Sequence, residues 1–294
     1  MAANIKRPAE EQAQTQIQQN DANCRIGSME LDEETCRFYH HAIEVLDGSG
    51  VPYLVGGAFA LERYTGIERY TKDFDVFVRP EHAETALKAF EREGYETEMT
   101  FPHWLGKAHH GDMYVDVIFS SGNGLAEVDD LWFDNAREAE VLGCRVMVVP
   151  PEEMIWSKTF VMERERYDGA DVAHMIRATA NELDWRRLIG RYGRNWRVLF
   201  SHLVLFGFVY PGERGLVPSW VLEHFTERLR EETHSPPPAE ADKLCQGTLI
   251  SRQQYLIDVE QWGYTDARTL PMVKMTEDDI EHWTESIKVD GEGA

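Results

Sequence analysis

The chain has 294 residues, of which 43% are hydrophobic and 28% are charged. This is enough apolar material for one large core or two smaller ones, so a two-domain organisation is reasonable. The formal net charge of −22 argues against non-specific binding to a phosphate backbone, which requires Lys and Arg to displace counterions.

Residues 1–30 are polar and lack periodicity, which predicts a disordered arm without the apolar centre of a signal peptide. The longest nearly uncharged apolar stretch, Val198–Tyr210, is too short to span a bilayer, which needs roughly 20 residues. The four cysteines form no Cys-x-x-Cys pair, which indicates free thiols rather than a disulfide framework or a thiolate metal site. We therefore expect a cytoplasmic protein with no membrane partner.

The first half of the chain predicts helices interleaved with strands. A helix over Leu31–Leu46 precedes a short strand at Tyr53–Val55, the turn Gly56-Gly57 and a second helix at Ala58–Tyr64. The alternation in Asp73–Val78 predicts a strand. The remaining predicted elements are a helix at Pro80–Glu93 and extended segments at 95–100, 104–109, 113–119, 139–142 and 145–149. Together they predict an α/β (α+β) domain with a mixed sheet over residues 31–150.

The chain changes character after Pro150-Pro151, where helical periodicity takes over and predicts an all-helical domain over residues 151–234. Its predicted helices are 152–166, 169–179, 185–191, 195–208 and 218–232. The prolines at 236–238 predict a rigid break. Residues 235–294 are predicted to form an acidic tail with one helix, at Ser251–Trp262.

Three aspartates in predicted strands suggest a metal site. Asp73 and Asp75 lie two residues apart on one strand, so both carboxylates point to the same side. Two carboxylate charges held so near to each other are costly unless a cation lies between them. Mg²⁺ favours oxygen ligands of this kind. Asp116 lies in an otherwise apolar strand, where an unpaired carboxylate is hard to explain by packing. On its own, however, Asp-x-Asp is most often a solvated strand edge.

The turn before this strand predicts a phosphate-binding element. Gly56 and Gly57 would let the backbone approach phosphate oxygens, and the start of the helix at Ala58 offers free N–H groups and a positive dipole end. A strand, a Gly-Gly turn and a helix followed by Asp-x-Asp would therefore place a phosphate cradle beside a metal site.

These motifs resemble the DNA polymerase β-like nucleotidyltransferase superfamily. The matching residues are Val55–Leu61 and Gly66, followed by Arg69, Thr71 and Asp73–Asp75. Within the superfamily, the nearest likeness is to the AbiEii-like bacterial nucleotidyltransferases. Glu152–Lys158 and Arg166–Asp171 are similar to the helical part of those proteins, where a lysine and a later aspartate belong to the active site. The resemblance covers about residues 50–180.

The resemblance implies roles for individual residues. Asp73, Asp75 and Asp116 would hold Mg²⁺ or Mn²⁺, while Gly56 and Gly57, with Arg69 and Thr71 nearby, would face the nucleotide. Gly57 stands where many members of the superfamily carry serine. Lys158 would neutralise phosphate charge from a helix surface, although a solvated lysine is its simpler interpretation. Asp168 or Asp171 would orient or deprotonate the acceptor, or alternatively Asp168 would cap the N-terminus of a helix whose third residue is acidic.

The implied reaction is nucleotidyl transfer from a nucleoside triphosphate, such as ATP, to an acceptor hydroxyl, with release of pyrophosphate. The acceptor could be an RNA end, as in toxin–antitoxin relatives, or a small molecule such as an aminoglycoside or lincosamide antibiotic. A member of the fold that binds nucleotide or a partner without catalysis is the alternative. RNA would need a local basic patch, and Arg186–Arg197 is the best candidate. His109, His110, Asp112 and Asp116 suggest a second alternative, a histidine–carboxylate hydrolase site.

Overall fold

The computed structural model describes residues 25–26, 29–69 and 71–290. Their centre is a mixed seven-stranded sheet in the order β5-β6-β7-β4-β3-β9-β8. The strands are β3 (Leu54–Val55), β4 (Asp73–Phe77), β5 (Glu96–Phe101), β6 (Leu105–His110), β7 (Met113–Ile118), β8 (Arg137–Val141) and β9 (Cys144–Val148). Two further strands, β1 (Arg25–Ile26) and β2 (Met29–Glu30), form an antiparallel pair of their own.

The middle of the sheet combines parallel and antiparallel pairing. β4 runs parallel to β7 and antiparallel to β3, and β3 runs parallel to β9. The hairpins β5–β6, β6–β7 and β8–β9 are antiparallel. The predicted mixed sheet is therefore confirmed, and β4 and β7 are direct neighbours.

Four helices pack with this sheet: α1 (Glu33–Ser49), α2 (Gly57–Thr65), α3 (Ala83–Arg92) and the short α4 (Asp130–Asp134). α1 begins where the Asp32 carboxylate accepts a hydrogen bond from the Thr35 N–H, and it ends at Gly50 in the left-handed region. Cys36 on this helix is disulfide-bonded, whereas Cys144 and Cys245 are free, so the prediction of free thiols is wrong for Cys36.

The chain is helical after the sheet, as predicted. The helices are α5 (Pro151–Thr159), α6 (Gly169–Thr179), α7 (Trp185–Tyr192), α8 (Trp196–Val209) and α9 (Ser219–His234). α5 ends seven residues before the predicted limit, because residues 160–168 instead form a loop in which the Asp168 N–H donates to the Val161 carbonyl. Residues 160–168 are called the α5–α6 loop below.

Buried apolar side chains of the sheet and of the helices, from Leu31 to Phe225, form one continuous core. The helices join it through buried ion pairs as well. Arg187 of α7 contacts Glu152 and Glu153 of α5 at 2.5 Å, and both glutamates are almost completely buried. The boundaries at residues 150 and 234 remain a prediction.

The C-terminal segment has more structure than the predicted single helix. It contains β10 (Leu244–Cys245), α10 (Leu256–Glu260), β11 (Thr265–Asp266) and α11 (Glu277–Asp290). The predicted helix at Ser251–Trp262 is reduced to the five residues of α10. A small core of Leu249, Ala267 and Val273 and a buried pair of Arg268 with Asp266, 2.6 Å apart, hold the segment together.

No helix among the described residues is both long enough and apolar enough to cross a membrane.

Candidate functional site

Three aspartates converge at the middle of the sheet. Asp73 and Asp75 project from β4 and Asp116 from β7, and the parallel pairing sets Asp75 directly opposite Asp116. The intervening Phe74 and Val76 are fully buried on the other face of β4. Carboxylate oxygens of the three residues lie within 4.8 Å of one another. We call Asp73, Asp75 and Asp116 the strand carboxylates.

The strand carboxylates repel one another in a buried setting. Burial, and then the charges of Asp73 and Asp116, raise the pKa of Asp75 to about 7. Burial also raises the pKa of Asp116, although Lys107, whose Nζ lies 2.6 Å from its Oδ1, opposes that shift. Clustered oxygen donors of this kind suit a hard divalent cation such as Mg²⁺ or Mn²⁺. The donor set therefore fits the metal that the motif implies.

The Gly56-Gly57 turn places the start of α2 directly beside Asp75 of this cluster. The Gly56 N–H donates to the Asp75 carbonyl at 2.9 Å, and Gly57 has a φ of +53°. A Cβ on Gly57 would lie 1.7 Å from an Asp75 carboxylate oxygen, and one on Gly56 would lie 2.2 Å from the Phe77 ring. Both positions therefore require glycine here, which gives a physical reason for Gly57 where many members of the superfamily carry serine.

A second acidic pair lies on the helical side. Asp168 ends the α5–α6 loop and Asp171 lies in the first turn of α6, and both are at least 90% buried. Lys158 of α5 reaches both of them, with its Nζ 3.0 Å from Asp168 and 2.8 Å from Asp171. Arg166 donates to Asp168 at 2.9 Å, and Arg69 donates to Asp171 at 3.0 Å. We call Asp168 and Asp171 the helix carboxylates.

The environment of the helix carboxylates favours their charged form. Burial alone would raise the pKa of Asp168, but the hydrogen bond from Arg166 and the Lys158 charge outweigh it, so the pKa is lowered. The pKa of Asp171 is lowered in the same way, by Arg69 and Lys158 against burial. Asp168 is the N-cap residue of α6 and Asp171 lies in its first turn, as the capping alternative predicts, but the Asp168 side chain makes no capping hydrogen bond and accepts from Arg166 and Lys158 instead.

Arg69 and Thr71, which the resemblance assigns to the nucleotide, contact carboxylates instead. Arg69 forms the ion pair with Asp171, and the Thr71 hydroxyl donates to the Asp73 carboxylate. Neither residue lines the cavity described next. From outside the cavity lining, Arg69 and Thr71 therefore contact the carboxylates of Asp171 and Asp73.

A cavity of about 1030 Å³ lies between the sheet, the helices and the C-terminal segment. Five of the predicted site residues line it, on two opposing sides: Gly56, Gly57, Asp75, Lys158 and Asp168. Arg166 also lines it, although no role for it was predicted. The far wall comes from residues that sequence reasoning missed altogether: Leu249, Ile250, Arg252, Gln253, Trp283 and Ser286. The acidic composition of residues 235–294 predicts a solvated tail and gives no sign of this wall.

Three of the five arginines in the candidate basic patch are held in ion pairs, whereas Arg186 and Arg194 are exposed. Arg187 and Arg191 are buried in ion pairs with Glu152, Glu153 and Asp129, at 2.5 to 2.9 Å. Arg197 is paired with Glu232 at 3.0 Å.

The alternative histidine–carboxylate site does not form. His109 lies 3.5 Å from Glu98, and His110 sits at the exposed end of the β6–β7 hairpin. Within the described ranges, the strand carboxylates are the only group of three or more His, Cys, Asp or Glu side chains that could share an ion.

Comparison with solved structures finds several nucleotidyltransferases at low identity and low TM-score. The antibiotic-resistance factor ANT(2'')-Ia matches at 16% identity and a TM-score of 0.36, over 69% of this chain and 97% of its own. The lincosamide antibiotic adenylyltransferase LnuA matches at 16% and 0.35, over 48% and 95%. A putative nucleotidyltransferase from Thermotoga maritima matches at 15% and 0.32, over 41% and 80%. No curated protein matches the chain.

A family profile gives the stronger result. The profile of a family described as "Uncharacterised nucleotidyltransferase" matches residues 38–204, which is more than half of the chain and includes the strand carboxylates, the Gly-Gly turn and the helix carboxylates. The chain therefore belongs to this nucleotidyltransferase family.

Proposed function

We propose that the protein transfers a nucleoside monophosphate group from a nucleoside triphosphate to a hydroxyl of a small molecule, releasing pyrophosphate. The observation that carries the proposal is the convergence of the three strand carboxylates within 4.8 Å, beside the Gly56-Gly57 turn. Maintaining three partly buried like charges this close together is costly, and a protein that only bound a partner would have no use for them. This cost favours an enzyme over a non-catalytic member of the fold.

The strand carboxylates would hold Mg²⁺ or Mn²⁺. When bound, the metal would offset phosphate charge and lower the pKa of the acceptor hydroxyl. Thr71 would fix the orientation of Asp73 through its hydrogen bond, and Lys107 would do the same for Asp116. The N–H groups at the start of α2 would face the phosphates, because a helix N-terminus favours anions.

The other side of the cavity would supply positive charge. Lys158 and Arg166 line it and would contact the phosphate chain, while Asp171, itself paired with Arg69, would hold Lys158 in place. Of the two helix carboxylates, Asp168 lines the cavity and would orient the acceptor hydroxyl or accept its proton. Asp171 does not line it, so we assign it a positioning role.

A small acceptor suits this chain better than an RNA end. Three observations favour a small acceptor. They are the net charge of −22, the ion-paired arginines of the Arg186–Arg197 stretch, and a cavity walled by three parts of the chain. The AbiEii-like likeness, with an RNA acceptor and a toxin–antitoxin role in the cytoplasm, remains the alternative. ATP is the first donor to test.

The test is transfer from α-labelled ATP, GTP, CTP or UTP in the presence of Mg²⁺. Label would be followed into a small-molecule pool, into RNA and into the protein itself, with pyrophosphate measured in parallel. Asp75→Asn should reduce transfer about a thousandfold, since metal contributes several kcal/mol to the transition state. Asp112→Asn, an exposed aspartate at the β6–β7 hairpin tip, is the control. Full activity of Asp75→Asn would overturn the proposal, and nucleotide binding without any transfer would favour the non-catalytic alternative.

A further inference from the structure

One wall of the cavity is built by the C-terminal segment. Leu249, Ile250 and Arg252 follow β10, and Trp283 and Ser286 belong to α11. All of them lie beyond residue 204, where the family match ends. This wall therefore lies outside the part of the chain that the family profile matches.

Aromatic rings dominate this part of the cavity. Phe101 and Trp104, at the β5–β6 turn, stack with centroids 5.7 Å apart. The Trp283 ring lies 6.0 Å from that of His103 in the same turn, and it packs so closely on Gly122 that a Cβ there would come within 2.5 Å of the indole. The same cavity is also lined by neutral polar side chains, those of Ser120, Ser121, Asn123 and Ser286. Flat apolar surfaces interspersed with hydroxyls and amides suit a ligand with one apolar face and several hydroxyls.

The charges at this end do not favour an anion. Arg252 lines the wall, but its guanidinium is paired with Glu163 at 3.0 Å. Glu165 is an exposed carboxylate in the lining, and no side-chain partner for it is found in the described part of the chain. Lys158 and Arg166, the cations proposed for the phosphates, are paired with the helix carboxylates.

The wall is fastened to the α5–α6 loop, which carries Arg166 and Asp168. Glu163 of that loop accepts hydrogen bonds from the Ser251 hydroxyl and from both the backbone and side chain of Arg252. The Met162 N–H donates to the Ile250 carbonyl at 3.0 Å. Arg252 also donates to the Trp283 carbonyl and the Ser286 hydroxyl. One arginine thus joins both parts of the wall to the loop beside the proposed transfer site.

We infer that this wall is the acceptor subsite, and that it takes an uncharged or cationic small molecule with an aromatic or other flat apolar face and at least one hydroxyl. The inference rests on the proposed function, because it assigns the triphosphate to the end with Gly57, Asp75 and Lys158. Trp283 and Trp104 would hold the apolar face. A hydroxyl of the ligand would then be directed toward Asp168 and the strand carboxylates.

Phenyl β-D-glucoside is a suitable probe, since it combines a flat apolar ring with hydroxyls and carries no charge. Its binding to the full-length protein saturated with Mg²⁺ and ATP would be followed by saturation-transfer NMR and by tryptophan fluorescence. Phenyl β-D-glucuronide, which differs by one carboxylate, should bind more weakly. Trp283→Ala should weaken glucoside binding about tenfold while leaving ATP affinity unchanged.

Two further variants separate the subsite from folding. Gly122→Ala displaces the Trp283 indole without removing it and should also weaken the glucoside. Trp262→Ala removes a largely exposed tryptophan of the same segment, outside the cavity, and should bind both ligands normally.

Three results would overturn the inference: no saturable glucoside binding to the wild type, equal binding by Trp283→Ala, or ATP affinity that falls in Trp283→Ala, which would assign the wall to the nucleobase. Failure of the proposed function is distinguishable, since it would appear as an Asp75→Asn variant with full transfer activity.

Discussion

The two acidic groups of the cavity region differ in how their negative charge is balanced. The helix carboxylates are surrounded by Lys158, Arg166 and Arg69, and their pKa values are lowered. Among the strand carboxylates Asp116 is ion-paired, with Lys107, and burial and the neighbouring carboxylates raise the pKa of Asp75 to about 7 although the charges of Lys158 and Arg166 oppose that rise. The first group is neutralised by the chain itself. The second is left short of positive charge, which is the condition that an external divalent cation corrects.

We therefore expect the helix carboxylates to stabilise the fold and the strand carboxylates to serve the reaction. A self-neutralised cluster gains most of its favourable contacts on folding, so it contributes to stability. A cluster of like charges costs stability in the metal-free protein, and that cost is tolerated where function requires it. We therefore expect substitutions in the two groups to differ in what they change.

The largest effect on stability is expected for Lys158→Ala. By sequence alone Lys158 is a helix-surface lysine whose removal should leave the fold intact. In the structure its side chain is 17% exposed and lies between two carboxylates with side chains 9% and 5% exposed. Its removal leaves buried charge undercompensated, so the free energy of unfolding should fall by roughly 3–5 kcal/mol. Urea denaturation would measure this.

Lys88→Ala is the matched control, because this lysine is 62% exposed and paired with Glu84 one helical turn away. It should change the unfolding free energy by less than about 0.5 kcal/mol. Lys158→Arg should recover part of the loss, since it keeps the charge but not the compact head. A Lys158→Ala protein as stable as the control would contradict the comparison.

An intermediate effect is expected in the pH dependence of the metal-free protein. The pKa of Asp75 rises from 3.8 to about 7 on folding, so the folded state binds more protons between these values. Its contribution to stability must therefore fall as pH rises from about 4 to 7. The lowered pKa values of Asp168 and Asp171 act oppositely, and their contribution is lost only as pH falls through the acid range.

Melting temperatures in EDTA across this pH range would test the sign. Asp75→Asn should remove the loss between pH 4 and 7, whereas Asp112→Asn should keep it. Mg²⁺ should raise the melting temperature of the wild type more at pH 8 than at pH 5, since protons compete for the ligands, and it should have little effect on Asp75→Asn. An equal metal response in Asp75→Asn would place the metal elsewhere.

The strand carboxylates were predictable because they depend on local rules. The period of two in Asp73–Val78 places Asp73 and Asp75 on one side of a strand, and an aspartate in the apolar run around Asp116 points to a special environment. The mixed sheet and the helices after Pro151 likewise follow from periodicity. The pairing of β4 with β7 is a long-range property, so the position of Asp116 in an apolar strand suggested that it would join the other two, and the family resemblance supported this.

The C-terminal wall could not have been predicted in this way. Its contacts join residues far apart in sequence, such as Arg252 with Glu163 and Trp283 with Gly122, and none of them has a characteristic spacing. The predicted helix at Ser251–Trp262 failed because the Ser251 hydroxyl and the backbone N–H and guanidinium of Arg252 donate to Glu163 instead of continuing a helix. Partners distant in sequence also explain Lys158, whose burial depends on Asp168 and Asp171.

The smallest effect on stability is expected for Arg166→Gln, which separates charge used for folding from charge used for binding. Arg166 donates to Asp168 but is 69% exposed, and Asp168 keeps its contact with Lys158 when the arginine is removed. The unfolding free energy should change by less than about 1 kcal/mol. Because Arg166 lines the cavity near Asp168, ATP affinity measured by calorimetry should nevertheless fall by up to about tenfold.

Arg164→Gln, on the same loop but outside the cavity lining, should leave both quantities unchanged. If Arg166→Gln lowered stability as much as Lys158→Ala while binding ATP normally, the arginine would belong to the self-neutralised cluster alone, and the positive charge for the triphosphate would have to come from Lys158.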